Sequence, residues 1–210
     1  MIRILLADDH TIFRQGLKEI LESEPDLTVT MEAVSGRETV AQAMAGDCDM
    51  VLLDISMPDI HGLDVLKQIK QSCPDTAVII LSMHSEEHYG MRALKAGASG
   101  YFTKDGEAAE LIAAIRKVDS GGIYISSRLS ELIAENTLRN KGVTPEEFLS
   151  DREYQVLGMI ASGKRSKAIA EKLGVSPKTV STYRHRLLEK LNMKTNEQLC
   201  TYARHHGLLD

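Results

Sequence analysis

Three apolar residues, Val51-Leu52-Leu53, run directly into one acid, Asp54, with Pro58 and Gly62 close behind. A short run of branched apolar residues predicts a fully buried strand. The proline and glycine mark the loop that ends it. Asp54 then stands at the carboxyl end of a buried strand, where open α/β sheets bind ligands. A carboxylate there is either a structural cap or the working acid of a site, and Asp54 alone favours neither. Four more polar residues have a comparable place: Asp8 and Asp9 end a first apolar run, Ser82 ends a later one, and Lys104 follows the last. Each has a dull explanation, because strand-end acids cap helices and an exposed lysine is usually a solvated charge. Together they describe acids, a hydroxyl and an ammonium gathered at one edge.

The elements that must gather them are legible in the periodicity. Residues 2–7 read as a strand. From Thr11 the period becomes helical, with Ile12, Phe13, Gly16, Leu17, Ile20 and Leu21 on one face. A strand over 27–34 follows, then a helix from a capping box at Ser35 and Glu38. The central strand 49–54, a helix near 62–72, a strand 77–82, a helix near 86–96, a strand 98–102 and a helix 106–119 complete the series. Strand and helix alternate five times, which implies a parallel sheet covered on both faces. Right-handed crossovers leave few topologies. The flavodoxin-like (βα)5 order 2-1-3-4-5 is predicted, which brings all five polar residues to the carboxyl edge.

The set Asp8-Asp9, Asp54 with Pro58 and Gly62, Ser82 and Lys104 resembles the signature of bacterial response-regulator receiver domains, over residues 1–122. The resemblance implies that Asp54 accepts a phosphoryl group from a sensor histidine kinase. It implies that Asp9 and Asp54 ligate Mg²⁺ directly, that Asp8 acts through water, and that the backbone carbonyl of Ser56 adds a ligand. It implies a switch in which Ser82 moves toward the phosphoryl group and Tyr101 fills the vacated space. The chemistry agrees. Clustered acids repel one another unless a cation neutralises them, and Mg²⁺ suits a hard oxygen site that retains several waters. Phosphoryl transfer needs alignment and neutralisation of the equatorial oxygens. Two positions depart from the generic receiver pattern. Asp105 follows Lys104 where many receivers carry proline, and a cis bond without proline costs about 2.5–4 kcal/mol. Met83 follows Ser82 where many carry a small residue, which would narrow access to Asp54. His84 and His88 have helical spacing, but histidines in loops and helices are common and no metal site is assigned to them. A hydrolase acting through an aspartyl-phosphate would usually want an acid two residues after Asp54. Ser56 stands there instead, so the chain is expected not to be an enzyme.

The chain has 210 residues, which suits one large or two small domains. Its net charge of −5 divides unevenly: −9 over residues 1–122, zero over 123–146 and +4 over 147–210. An acidic front and a basic tail suggest modules with different partners. No apolar run approaches a membrane span, and the first residues lack the sections of a signal peptide. Three scattered cysteines, Cys48, Cys73 and Cys200, argue for a reducing cytoplasm over a disulfide framework or zinc site. Residues 123–148 are expected to be a partly helical linker. It opens at Gly121-Gly122, holds a helix from Ser127 to about Arg139, and includes a turn-rich stretch over 140–145.

Residues 149–210 contain no convincing strand and predict a small all-α domain of four helices. Ser150 and Glu153 form a capping box. Ser166 is expected to cap a short helix ending at Gly174-Val175-Ser176, and Pro177 suits the first position of the next. Two short helices about a glycine-containing turn fit a helix-turn-helix, whose second helix enters the major groove. Its predicted outer face carries Lys178, Thr179, Ser181, Thr182, Arg184, His185 and Arg186, which suit phosphates and base edges. The stretch from Leu149 to Leu191 is similar to the LuxR-type helix-turn-helix. With the receiver, the chain resembles NarL/FixJ-family response regulators, which implies control of transcription by phosphorylation. Carried over by position, Ser181, Thr182 and His185 reach base edges, and Lys167, Lys178, Thr179 and Arg184 hold phosphates. Double-stranded DNA is the implied partner, bound by a homodimer on inverted half-sites. A last helix would offer Leu199, Tyr202 and Ala203 to the dimer contact or bury them in its own core.

Overall fold

A computed structural model describes residues 1–138, 145–206 and 208; of the turn-rich stretch expected over 140–145, residues 140–144 lie outside them. The chain divides into two compact units, residues 1–133 and 134–210.

In the first unit, strands β1 (Ile2–Ala7), β2 (Leu27–Ala33), β3 (Met50–Asp54), β4 (Ala77–Ser82) and β5 (Gly100–Thr103) form one parallel sheet in the order β2-β1-β3-β4-β5. Helices α1 (Thr11–Glu22), α2 (Gly36–Ala45), α3 (Gly62–Ser72), α4 (Glu86–Lys95) and α5 (Ala108–Asp119) make the crossovers. Successive strand residues face opposite sides, so Ile4, Leu6, Leu52, Ile79, Leu81 and Phe102 share a core with Leu17 and Leu21 of α1 and with Leu111 and Ile115 of α5. Every residue of β3 is buried. At about 1.5–3 kcal/mol for each large apolar side chain removed from water, this central strand anchors the unit. Strand order reverses between β1 and β3. The chain therefore leaves these neighbouring strands in different directions, and Asp8-Asp9 and Asp54 flank the switch point at which open α/β sheets bind ligands.

Two features of α1 differ from the periodicity. Ile12 is 87% exposed and Ile20 39% exposed, while Leu17 and Leu21 carry the packing. Buried Arg14 joins them on the inner side. The connector also differs from the expected linker over 123–148. Its first part belongs to the receiver sheet. Tyr124 forms a parallel bridge with Gly100, and its hydroxyl donates to Glu110 at 2.6 Å. Ser126 Oγ donates to Glu86 at 2.5 Å, and Arg128 Nε donates to Glu87 at 2.7 Å. Helix α6 (Ser127–Leu138) buries Leu129 completely. Gly90 of α4 leaves room for it: a Cβ on Gly90 would stand 2.8 Å from Leu129 Cδ1. The boundary read at residue 122 thus moves to residue 133, because Tyr124 and Leu129 complete an apolar surface that α4, β5 and α5 leave open.

The second unit holds a 3-10 turn (Pro145–Phe148) and helices α7 (Asp151–Ala161), α8 (Ser166–Leu173), α9 (Pro177–Lys190) and α10 (Asn196–His205). The capping box at α7 forms as predicted. Ser150 Oγ accepts from Glu153 N at 3.3 Å, and Glu153 Oε2 accepts from Ser150 N at 2.8 Å. Ser166 does not cap α8; Arg165 occupies that position without a side-chain bond, and Ser166 is the first helical residue. Gly174 ends α8 at φ 62°, a left-handed conformation in which a Cβ would be strained. Ser176 then caps α9, accepting from Thr179 N at 3.1 Å. Leu199 and Ala203 are buried within the unit's own core, with α10 packed on α7, so they are not free for a dimer contact.

Candidate functional site

At the carboxyl edge of the sheet, Asp8 and Asp54 are 0% and 1% exposed, and the Lys104 side chain is 3% exposed. Lys104 Nζ stands 2.6 Å from Asp8 Oδ2 and 3.2 Å from Asp54 Oδ2. It also lies 4.6 Å from the centre of the Phe13 ring, over α1. Four of the five residues predicted to converge, Asp8, Asp9, Asp54 and Lys104, therefore meet in one pocket. The fifth, Ser82, is wholly buried at the end of β4, where it pairs with Thr103 of β5. Its Oγ accepts from His84 N at 3.0 Å. No cis peptide bond occurs among the described residues, so the Lys104–Asp105 bond is trans.

The electrostatics are unbalanced. One ammonium faces three carboxylates. Asp8 Oδ2, Asp9 Oδ1 and Asp54 Oδ2 are shut from water, with only the Lys104 ammonium near the first and third and the His10 ring nitrogen near the second. Burial pushes the Asp54 carboxyl above its ordinary value; the Lys104 charge opposes the rise and the Asp8 charge adds to it. Buried carboxylates with so little compensating charge are rare, because each forfeits its hydration. Such oxygen donors fit a hard divalent cation, and together with His10 they form a cluster of possible ligands. Asp54 Oδ1 is held by Ser56 N at 3.2 Å, which fixes the carboxylate and leaves Oδ2 facing the pocket.

The loop after Asp54 is anchored on both sides. Asp59 accepts from Gly36 N at 2.7 Å and from Arg37 N at 3.0 Å, so it closes the amino end of α2. Gly62 passes so near the strand end that a Cβ would stand 2.6 Å from both Asp54 O and Ile55 Cα. Tyr101 is fully buried, and its hydroxyl donates to His84 O at 2.8 Å. Ser82 and Tyr101 therefore hold the same loop, one at its amide and one at its carbonyl. Met83 of that loop is 74% exposed.

Sequence reasoning passes over His10 and Arg14. His10 Nδ1 is 2.9 Å from Asp9 Oδ1 and 3.3 Å from Asp8 Oδ1. Arg14 Nη1 donates to Asp8 O at 2.7 Å and its Nε to Glu32 at 3.0 Å, while Lys18 grips the other Glu32 oxygen at 2.8 Å. Arg14 thus pins the backbone of an acid from one turn into α1. The available signal was position: His10 adjoins Asp9, and Arg14 lies four residues farther on the same helix face.

In the second unit, Lys178, Ser181, Thr182, His185 and Arg186 are exposed on α9, and Lys167 is exposed on α8. Val180 and Leu187 hold the opposite side of α9 in the core. Thr179 and Arg184 are half-buried. Thr179 is engaged in the Ser176 cap, its Oγ1 lying 2.9 Å from Ser176 Oγ, and Arg184 Nε donates to Asn196 Oδ1 at the start of α10. Ser181 and Thr182 hydroxyls donate back to the Pro177 and Lys178 carbonyls at 3.1 Å. Among the described residues no helix is long and apolar enough to cross a membrane.

Comparison with known proteins connects the two units. Residues 4–116 match the response regulator receiver domain, and residues 147–203 match the bacterial regulatory proteins of the luxR family. The response regulator UvrY of Escherichia coli O6:H1 is 39% identical over 209 residues, 99% of this chain and 96% of that one. The response regulator GacA of Pseudomonas viridiflava is 37% identical over 211 residues, 100% of this chain and 99% of that one. Among solved structures, RcsB from Salmonella enterica serovar Typhimurium, bound to promoter rprA in the presence of phosphomimetic BeF3−, is similar with a TM-score of 0.65. The identity is 26%, covering 96% of this chain and 98% of that one. An acid-lined sheet edge ahead of a helix-turn-helix with a basic face, in a chain that response regulators match along its whole length, places it among the NarL/FixJ-type response regulators: it belongs to the family in which a receiver domain precedes a LuxR-type DNA-binding domain that regulates transcription.

Proposed function

We propose that Asp54 is the phosphoacceptor, that a sensor histidine kinase is the donor, and that the modification favours a homodimer on twofold-related DNA half-sites. The observation that carries this reading is the approach of the buried Lys104 Nζ to Asp8 at 2.6 Å and to Asp54 at 3.2 Å, both of them buried acids. Asp54 Oδ2 attacks phosphorus; the P–O bond forms as the P–N bond to the kinase histidine breaks, and that histidine leaves with the electron pair. Ser56 N fixes the attacking carboxylate through Oδ1. Lys104 supplies one positive charge to the transferring group. Asp9, Asp54 and the Ser56 carbonyl, with Asp8 acting through water, would hold Mg²⁺, which would supply the further neutralisation that such transfer requires. The phosphoryl group recruits the Ser82 hydroxyl as a donor. That movement pulls on the loop whose His84 carbonyl binds Tyr101, and α4 follows the same loop. The role is regulation by a persistent phosphoryl group, not turnover.

On DNA, Ser181, Thr182 and His185 face base edges, and Lys167 and Lys178 face phosphates. Thr179 and Arg184 act at one remove, by holding the start of α9 and its junction with α10. A symmetric operator matches a symmetric dimer.

Incubation of the full chain with a small phosphodonor and Mg²⁺, read by intact mass, tests the first step. The gain of one phosphoryl group is expected for the natural chain and none for Asp54→Ala. No gain in the natural chain, or labelling that persists in Asp54→Ala, overturns the reading.

A further inference from the structure

His10 stands at the pocket without a task in the reading above. It occupies the N-cap position of α1, where Ser, Thr, Asp and Asn are favoured because their side chains bond the first free amides. Its side chain makes no such bond. The ring points instead toward the acids. Its Nδ1 lies 2.9 Å from Asp9 Oδ1, 3.3 Å from Asp8 Oδ1 and 3.9 Å from Asp54 Oδ2.

We propose that His10 is a further protein ligand in the Asp8, Asp9 and Asp54 pocket, so that the receiver takes first-row transition-metal ions through one imidazole nitrogen as well as Mg²⁺ through oxygen alone. This rests on the reading of the three aspartates as a divalent-cation pocket.

The spacing carries the inference. An octahedral ion with bonds of about 2.1 Å sets adjacent ligand atoms about 3.0 Å apart and opposite ones about 4.2 Å apart. The Nδ1 distances to Asp9 and Asp8 fit adjacent ligands, and the distance to Asp54 approaches that of opposite ligands. One donor atom from each of the four residues lies within 4.8 Å of the others. The second observation is the buried carboxylate oxygens. Asp8 Oδ2 and Asp54 Oδ2 belong to residues at most 1% exposed and share the single Lys104 ammonium, so the pocket retains acceptor capacity that Lys104 does not exhaust. The His10 side chain is itself 63% exposed, which leaves the ring room to adjust around an ion. Its backbone is fixed: His10 N donates to Asp8 Oδ1 at 2.8 Å, and Arg14 holds the Asp8 carbonyl.

The chemistry separates the ions. Imidazole suits nickel, copper and zinc, whereas Mg²⁺ keeps to carboxylate, carbonyl and water. Loss of the ring therefore acts on one class of ion and spares the other.

Titration calorimetry of the full chain with Ni²⁺ and with Mg²⁺, for the natural chain and for His10→Ala, His10→Gln and Asp9→Asn, tests the inference. Both His10 variants are expected to weaken Ni²⁺ about tenfold or more while changing Mg²⁺ affinity less than about twofold. Weak sites on the other histidines persist in these variants and are removed by difference. The visible absorption of bound Co²⁺, which reports nitrogen ligation, should change in both. Asp9→Asn should weaken all three ions. An unchanged ratio of Ni²⁺ to Mg²⁺ affinity in both His10 variants overturns the inference while leaving the aspartate pocket intact. Unchanged affinities in Asp9→Asn remove the pocket itself, and this inference with it.

Discussion

Replacing Asp54 by Asn should make the receiver more stable, although it removes the proposed phosphoacceptor. Asp54 is 1% exposed, its Oδ2 has only the Lys104 ammonium at 3.2 Å, shared with Asp8, and its charge faces Asp8 across the pocket. A buried polar group left unsatisfied costs about 1–3 kcal/mol, more when charged. The amide keeps the Ser56 bond through its oxygen, and Lys104 keeps its 2.6 Å partner Asp8. The amide nitrogen must then tolerate the ammonium, so the net gain falls toward about 1–2 kcal/mol. One kcal/mol moves the midpoint about 4–8 °C in a small domain and about 2–4 °C in one of 150–250 residues. The 133-residue unit lies between these, so its transition should rise by about 4–8 °C in Mg²⁺-free buffer at neutral pH. Calorimetry of the full chain resolves this as one of two transitions, because a two-unit chain does not melt as a single state. The sign with pH follows from the direction of the shift. Asp54 has a folded value raised above the ordinary 3.8, chiefly by burial. The folded chain therefore holds that proton more tightly than the unfolded chain, and stability is lost as pH rises from the ordinary value through the raised one. The gap between variant and natural chain should close as pH falls through the raised value toward the ordinary one, because the folded chain then carries Asp54 protonated. Mg²⁺ should also narrow the gap, since a ligand stabilises only the form that binds it. A receiver midpoint that is unchanged or lower in Asp54→Asn without Mg²⁺ would refute the reasoning.

Two further outcomes follow from close approaches and exposed charge. Gly62→Ala sets a Cβ 2.6 Å from Asp54 O, against backbone that cannot swing aside. It should cost about 1–3 kcal/mol, as overpacking does, and should slow labelling by a phosphodonor; denaturant midpoints and labelling rates matching the natural chain would show that the loop yields freely. Lys178→Ala should weaken binding on all DNA sequences and lower the slope of log affinity against log salt by about one. An unchanged slope places Lys178 away from phosphate.

Legibility varied with the range of the forces involved. The β3 run and its terminal acid were legible because burial on both faces demands uninterrupted apolar residues. The capping box at Ser150 and Glu153 was legible because it closes within four residues. The faces of α1 were not. Periodicity put Ile12 and Ile20 beside Leu17, but their exposure depends on how far the neighbouring elements extend over that helix. The same limit hid the docking of Tyr124 and Leu129, since residues 123–129 look like a linker until α4 and β5 present a surface for them. Leu199 and Ala203 were ambiguous for the converse reason: an apolar stripe does not say whether its cover is intramolecular.

Strand–helix alternation, the types of the five polar residues and their places at strand ends belong to the one-dimensional chain, because buried strands and capped helices impose local patterns. From these came the parallel sheet, its order and the gathering of the five residues at its carboxyl edge, while the kind of pocket followed from the resemblance to receiver domains. The tertiary structure decided distances. It brought Lys104 within reach of two acids, shut three carboxylate oxygens from water, aimed His10 at them and placed Arg14 behind Asp8. Those facts depend on how segments far apart in sequence pack within a few ångströms of one another, which no local pattern encodes.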